Sequence, residues 1–136
     1  MTESTRQLKE NLRVSLITQR RARTATELRD ADNAIAHHAG SWHALSKARR
    51  VACYLSLPGE PGTKALLELL AERGIEVIVP ISNKDRSMDW AVYNGETKPG
   101  ILGIREPTGP PLGKDALDSC QIAFIPALAV DHSGRR

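Results

Sequence analysis

The sequence predicts an α/β fold, a three-layer α/β/α sandwich in which helices cover both faces of a mostly parallel sheet. A strand, a tight loop, a helix and a second strand follow one another over residues 50–80. This order is typical of parallel strands joined by a crossover helix. A second apolar run, Gln121–Val130, lacks polar alternation, as expected for a strand buried on both faces. A chain of 136 residues is expected to form a single domain, residues 1–136.

Two helices are predicted ahead of the first strand. Residues 4–23 carry an apolar stripe of Leu8, Leu12 and Leu16, spaced four apart. Residues 25–39 form the second helix, which opens with a capping box at Thr24-Ala-Thr-Glu27 and is expected to end at Gly40. A short turn over residues 41–45 follows, and we expect its tryptophan, Trp42, to pack on the sheet.

The central unit begins with a strand over residues 50–57. Pro58-Gly-Glu-Pro-Gly62 is a tight loop, and Thr63 is placed to cap a helix that runs to Glu72. Arg73-Gly74 closes that helix, and residues 75–80 form the next strand.

Less regular sequence follows. Residues 88–93 predict a weaker strand at a sheet edge, and residues 100–113, rich in Pro and Gly, predict an ordered surface loop. A turn or short helix over 116–118 precedes the strand 121–130, for which we predict a central place in the sheet. Pro126 inside this strand indicates a bulge or a strand end.

Composition restricts the function classes. The net charge of +3 is too small to indicate nucleic-acid binding by itself. The N-terminus lacks a secretory signal core and no apolar run approaches membrane-spanning length, so we expect a cytoplasmic protein that binds no membrane. Cys53 and Cys120 form no disulfide or metal pattern and are predicted to be buried, reduced thiols.

One loop stands out as a candidate ligand site. Glu60 follows the first strand, where ligands gather in open α/β sheets, and its carboxylate can accept hydrogen bonds from ligand N–H groups. It can equally be a polar residue placed favourably near a helix start. The turn Ser133-Gly-Arg-Arg136 follows another strand, so both loops are expected to face a site for an anionic or phosphorylated ligand. No nucleophile–base pair is visible, and the four histidines are interpreted as ordinary surface residues.

Four motifs occur in order along nearly the whole chain: Lys9-x-x-Leu12-Arg13, Tyr54-Leu-Ser-Leu-Pro-Gly-Glu60-x-x-Thr63, Gly103-Ile-x-Glu-Pro107 and Ile125-Pro-x-Leu-x-x-Asp131-x-x-Gly134-x-Arg136. Together they resemble the 5-formyltetrahydrofolate cyclo-ligase family, also called 5,10-methenyltetrahydrofolate synthetases. The resemblance implies an enzyme that uses ATP and Mg²⁺ to convert 5-formyltetrahydrofolate to 5,10-methenyltetrahydrofolate, ADP and phosphate. It also implies that the formyl oxygen attacks the γ-phosphate and that N10 then closes the ring. No protein nucleophile is required.

The resemblance also assigns residues. Lys9 and Arg13 resemble contacts to the ATP phosphates, and Arg136 resembles the first residue of a second ATP-binding segment. Glu60 resembles the carboxylate that holds the pterin-like ring of the folate, and Leu55 matches an apolar position of the folate pocket. We expect a monomer whose partners are folate and ATP.

Members of the family continue past this arginine with a glycine-rich Tyr-Tyr-Asp segment, which carries much of the ATP loop, a substrate tyrosine and the magnesium-binding aspartate. The sheet of this chain is therefore expected to be incomplete at its C-terminus, and no residue present here is assigned to the metal. The alternative to the enzyme is a catalytically inactive folate- or nucleotide-binding remnant of the same fold. A basic nucleic-acid-binding module is a third, weaker interpretation.

Overall fold

The computed structural model describes residues 2–136. Three helices, α1 (Glu3–Arg21), α2 (Ala25–Ser41) and α3 (Lys64–Glu72), accompany six strands and three short 3₁₀ helices. The strands are β1 (Arg50–Cys53), β2 (Glu76–Ser82), β3 (Met88–Val92), β4 (Thr97–Pro99), β5 (Arg105–Pro107) and β6 (Ile122–Phe124). The 3₁₀ helices span His43–Lys47, Ile101–Gly103 and Lys114–Ser119.

The predicted unit of strand, helix and strand is confirmed. Strands β1 and β2 pair in parallel, with Val51 opposite Val77, and α3 connects them. Helix α3 ends at Arg73-Gly74 as predicted, because Gly74 adopts a φ of +69° that residues with a side chain rarely tolerate. Strand β3 runs antiparallel to β2 and lies at the sheet edge, also as predicted.

The prediction for the last strand is wrong in length and position. The sheet order is β3-β2-β1-β6, so β6 pairs only with β1 among the residues that the structure describes. It comprises three residues rather than the ten of the apolar run, and it ends two residues before Pro126. Proline has no amide hydrogen for a ladder hydrogen bond, so of the two expectations for Pro126 the strand end is confirmed. Beyond the strand, Ile125 and Val130 are exposed.

The core lies mainly between the sheet and helices α2 and α3. Alternate strand residues point to this face, where Val51, Cys53, Val77 and Val79 meet Leu66 and Leu70 of α3. The opposite face is smaller: Ala52, Ile78 and Trp90 are buried there, and Ala116 and Cys120 pack beside them. The mixed α/β class with a mostly parallel central sheet is therefore confirmed.

Leu45 occupies the position predicted for Trp42. Leu45 is fully buried in the core between α2 and β1, whereas Trp42 is 51% exposed. The 3₁₀ helix His43–Lys47 turns Leu45 inward, and Trp42, its N-cap residue, remains outside. The expectation that the larger apolar side chain would be buried is wrong, because local backbone direction decides which of the two faces the sheet.

The predicted start of α2 is confirmed, and its predicted end is one residue too early. Thr24 caps α2 as expected, since its hydroxyl accepts a hydrogen bond from the Glu27 N–H at 3.1 Å. The helix does not stop at Gly40 but continues to Ser41. Gly40 instead lies where α2 approaches α3: a Cβ there would meet Leu69 at 3.1 Å, and the Gly40 carbonyl accepts a hydrogen bond from Arg73.

Within the predicted surface loop 100–113, residues 105–107 form a strand, β5, which makes a small hairpin with the preceding β4. Strands β4 and β5 pair antiparallel, with Lys98 opposite Glu106, and β5 packs against β2. Pro107 at the end of β5 is fully buried. The sequence did not predict these two strands, because three residues are too few to show a clear alternation of apolar and polar side chains. No helix in the part of the chain that the structure describes is long and apolar enough to cross a membrane.

Candidate folate and phosphate site

The chain leaves the sheet after Cys53, four residues earlier than predicted, and Tyr54–Thr63 forms a hydrogen-bonded loop at the carboxyl end of β1. The Glu60 N–H donates to the Leu57 carbonyl at 3.0 Å. In return, the Leu57 N–H donates to Glu60 Oε2 at 2.9 Å. This reciprocal pair fixes the half-buried carboxylate at the loop tip and leaves Oε1 free to accept further hydrogen bonds.

Two side chains outside the tip hold the loop in place. The Tyr54 hydroxyl donates to the Pro61 carbonyl at 2.6 Å, and Asp32 Oδ1 on α2 accepts from the Gly62 N–H at 2.8 Å. Burial is the main cause that raises the pKa of Tyr54 to about 12, and the negative charge of Glu60 contributes. The phenol is therefore a neutral donor at ordinary pH.

Thr63 is buried but does not cap α3, which corrects the prediction. Its side chain makes no capping hydrogen bond; its hydroxyl accepts from the Ser56 N–H at 3.3 Å. The Thr63 N–H donates to Ser56 Oγ at 3.2 Å in return. The Thr63 hydroxyl, which was expected to cap the helix, instead hydrogen-bonds to Ser56 at the base of the loop.

Leu55 and Glu60 line different cavities. Leu55 borders a cavity of about 690 Å³ between α3 and the segment after β3. Glu60 borders a smaller one of about 330 Å³, next to Asp32 and Gly62. Ser56 lines both, so the two cavities meet at the loop rather than forming one pocket.

The structure brings the three predicted cations together. Lys9, Arg13 and Arg136 line one cavity of about 470 Å³, together with residues 126–129 after β6. Lys9 and Arg136 form no ion pair with a described residue, and Arg13 makes only a long one, 3.8 Å, to exposed Glu10. A cavity that gathers cations without matching carboxylates is suited to an anion such as phosphate.

The spacing of residues along α1 explains why its cations line this cavity. Lys9, Arg13, Leu16 and Arg20 follow one another at helical spacing and share a face. Arg20 donates to the Ala127 carbonyl at 2.8 Å and so ties α1 to the segment after β6. Arg20 also lines a fourth cavity together with Pro61, the neighbour of Glu60. The Glu60 loop and the cation cavity therefore lie along one side of the molecule.

Arg136 is positioned by a turn that Asp131 organises. Asp131 Oδ1 accepts hydrogen bonds from the Ser133 and Arg135 N–H groups at 2.8 and 2.9 Å. The Arg135 N–H is the main cause that holds the pKa of Asp131 below its ordinary value. Gly134 takes a φ of +77°, which lets the turn close.

Comparisons with known proteins identify the family and the fold of this chain. The profile of the 5-formyltetrahydrofolate cyclo-ligase family matches residues 5–136. This chain belongs to that family. A 5-formyltetrahydrofolate cyclo-ligase from Mycolicibacterium smegmatis is 36% identical over 98 residues, which cover 65% of this chain and 48% of the relative. The chain thus spans about half the length of this curated relative.

Two solved structures show the same fold. A 5,10-methenyltetrahydrofolate synthetase from Aquifex aeolicus matches with a TM-score of 0.76 and 21% identity, over 91% of this chain and 63% of that one. A 5,10-methenyltetrahydrofolate synthetase from Mycoplasma pneumoniae matches with a TM-score of 0.54 and 18% identity, over 65% of this chain and 55% of that one. At these identities the likeness concerns the fold.

Neither cysteine is suited to act as a nucleophile in this family member. Burial raises the pKa of the Cys53 thiol to about 12, and burial is also the main cause that raises the pKa of Cys120. Cys53 is buried as predicted, whereas Cys120 is only half-buried. Residues 2–136 contain no group of three or more His, Cys, Asp or Glu side chains that could hold a metal ion. We assign none of the described residues to a magnesium ion.

The sequence interpretation missed the residues that support the site. Asp32 could have been found, because it lies between Leu28 and Ile35 on the inward face of α2, where an acidic residue is unusual. Arg20 shares the helical face of Lys9 and Arg13, which is also visible in the spacing. The hydroxyl of Tyr54 gives no such signal, since its partner is a backbone carbonyl.

Proposed function

We propose that this chain forms the folate- and phosphate-binding part of a 5-formyltetrahydrofolate cyclo-ligase, which converts 5-formyltetrahydrofolate and ATP to 5,10-methenyltetrahydrofolate, ADP and phosphate. The observation that carries the proposal is the convergence of Lys9, Arg13 and Arg136 on one cavity. These residues come from opposite ends of the chain, and the carboxylate-bearing loop of Glu60 lies on the same side of the molecule.

The reaction needs positioning and charge stabilisation more than covalent help from the protein. The formyl oxygen attacks the γ-phosphorus of ATP, and the bond to ADP breaks. N10 then attacks the formyl carbon and releases its proton to solvent, and phosphate leaves with the former formyl oxygen. Lys9, Arg13 and Arg136 offset the phosphate charge in the first step. Glu60 Oε1 accepts hydrogen bonds from the ring N–H groups and so orients the formyl group.

Leu55 provides an apolar contact for the part of the substrate that extends from the ring. It is half-buried, packs on the core and faces the large cavity. In this arrangement the ATP phosphates and the folate ring approach each other near Pro61, between the cation cavity and the Glu60 loop. We propose that the protein acts in the cytoplasm as a monomer that binds folate and ATP.

The experiment measures folate binding and ATP binding separately. Glu60→Gln keeps an oxygen for the Leu57 N–H but loses the charge, so folate affinity should fall about tenfold or more while the unfolding free energy changes by less than about 0.5 kcal/mol. Lys9→Ala should weaken ATP binding about fivefold and leave folate affinity unchanged. Calorimetric titration of the full chain with each ligand measures both effects.

Matched controls are available on the same elements. Arg21→Ala removes a cation of α1 that lines neither of the cavities bordered by this helix, and Glu72→Gln removes an exposed carboxylate at the end of α3. Neither should change ligand binding. Equal losses of ATP and folate affinity in Lys9→Ala would contradict its role at the phosphates, and unchanged folate binding in Glu60→Gln would contradict the role of the carboxylate.

The alternative is an inactive folate- or nucleotide-binding protein of the same fold. Near-ultraviolet absorbance distinguishes the two, because 5,10-methenyltetrahydrofolate absorbs there. An ATP-dependent increase in absorbance supports the enzyme, whereas folate binding without such an increase supports the alternative.

A further inference from the structure

The cavity beside Leu55 is lined by two cations that the proposed chemistry does not use. Its walls are largely apolar and include Leu55, Leu67, Ala71 and Tyr93. Two cations, Lys64 and Arg105, also line it. Its volume of about 690 Å³ is in the range of sites for drug-sized ligands.

Arg105 is held in a fixed orientation by the β4–β5 hairpin. Its Nε donates to Thr97 Oγ1 at 2.9 Å, and its Nη2 donates to the Thr97 carbonyl at 2.7 Å. The Nη1 hydrogens have no partner in the described chain. Neither Arg105 nor Lys64 forms an ion pair with a described residue. A guanidinium that is oriented in advance loses less side-chain freedom when it binds a carboxylate.

This cavity adjoins the Glu60 cavity at the loop. Ser56 borders both, with Glu60 on one side and Leu55 on the other. A ligand whose ring contacts Glu60 and whose middle part passes Leu55 would enter the cavity that Arg105 and Lys64 line. Together the two cavities offer a carboxylate, an apolar wall and two cations. A reduced folate presents the complementary groups: a ring with N–H donors, a benzoyl group and a glutamate with two carboxylates.

We propose that Arg105 and Lys64 bind the glutamate carboxylates of the folate substrate. The assignment rests on the proposed function and deepens it, because it names residues that distinguish a charged substrate tail from an uncharged one. Glu68 lines the same cavity and lies one helical turn after Lys64. Its charge repels that of the tail and limits the affinity.

The experiment compares 5-formyltetrahydrofolate with its α,γ-diamide, in which both glutamate carboxylates are uncharged. Calorimetric titration of the full chain should show about three- to tenfold tighter binding of the charged form, the range expected for exposed ion pairs. Arg105→Gln and Lys64→Gln should each reduce this ratio, and Glu68→Gln should increase it. High salt should also reduce it by screening. Lys47→Gln, at the opposite end of the sheet, should leave it unchanged.

Two outcomes overturn the proposal in different ways. If the wild-type chain binds both ligands equally, or if the ratio is unaffected in both Arg105→Gln and Lys64→Gln, the tail site is wrong while the proposed function stands. If the chain binds neither ligand, the proposed function fails and the tail site fails with it. Arg105→Gln also removes hydrogen bonds to Thr97, so Lys64→Gln and Glu68→Gln test the site without altering the hairpin.

Discussion

The contact between Asp32 and Gly62 should couple α2 energetically to the Glu60 loop. A Cβ added at Gly62 would overlap the Asp32 carboxylate, and the φ of Gly62 lies outside the left-handed region, so the overlap is the main obstacle to Gly62→Ala. To relieve it, the carboxylate must move away from the Gly62 N–H, from which it now accepts a hydrogen bond at 2.8 Å.

The magnitude follows from that hydrogen bond. A hydrogen bond to a charged, half-buried group contributes about 1.5–3 kcal/mol, so Gly62→Ala should lower the unfolding free energy by about 2 kcal/mol. Asp32→Ala should cost a similar amount. Once Asp32 is absent, Gly62→Ala meets no carboxylate, and its cost should fall to near zero. The double variant should therefore lose about 2 kcal/mol in total, which is a coupling of about 2 kcal/mol.

Urea unfolding of the wild type, both single variants and the double variant measures this coupling. Gly59→Ala serves as the control, because Gly59 has a φ of +87° and a Cβ added there would meet no atom within 4 Å. It should cost about 1 kcal/mol from backbone strain alone, independently of Asp32. If the losses of Gly62→Ala and Asp32→Ala add, the contact does not hold the loop and the reasoning is refuted. Folate affinity should fall in both single variants.

Two further predictions concern the core and the loop. Leu45→Ala should lower the unfolding free energy by about 2–5 kcal/mol, because Leu45 is fully buried, whereas Trp42→Ala should cost less than about 1 kcal/mol; urea unfolding that ranks them in the reverse order would contradict the observed packing. The pKa of Tyr54 is raised to about 12 from 10.0, so the folded chain keeps a proton that the unfolded chain loses between these values. Stability should therefore fall as pH rises through this range, and Tyr54→Phe should make the fall shallower; an identical pH dependence of unfolding in both proteins would exclude this contribution.

Local sequence signals predict the elements whose pattern is long and periodic. The helix predicted from the leucine spacing of α1, the cap at Thr24 and the parallel pairing of β1 with β2 all agree with the structure, although Leu8 and Leu12 of that spacing are exposed. The predictions fail where the signal is short or ambiguous. The β4–β5 hairpin has strands of three residues, and the apolar run after Gln121 predicts a central strand although only Ile122–Phe124 pairs.

In the candidate site, too, some features are visible in the sequence and others only in the structure. Glu60, Lys9 and Arg136 can be named from motifs in the sequence. The sequence could not show that Leu55 and Glu60 border separate cavities, since both lie on one short loop. It also did not show the roles of Asp32, Tyr54 and Arg105, whose partners are backbone or hydroxyl groups at other points of the chain.

The sequence by itself determined the α/β class, the unit of strand, helix and strand, and the membership of the family, because these depend on periodicity, turn residues and motif order. Only the tertiary structure decided that Leu45 rather than Trp42 enters the core and that Lys9, Arg13 and Arg136 converge. Both depend on the relative placement of elements distant along the chain. That placement is set by the direction in which a turn leaves a helix and by long-range contacts such as Arg20 with the Ala127 carbonyl, which no local pattern encodes.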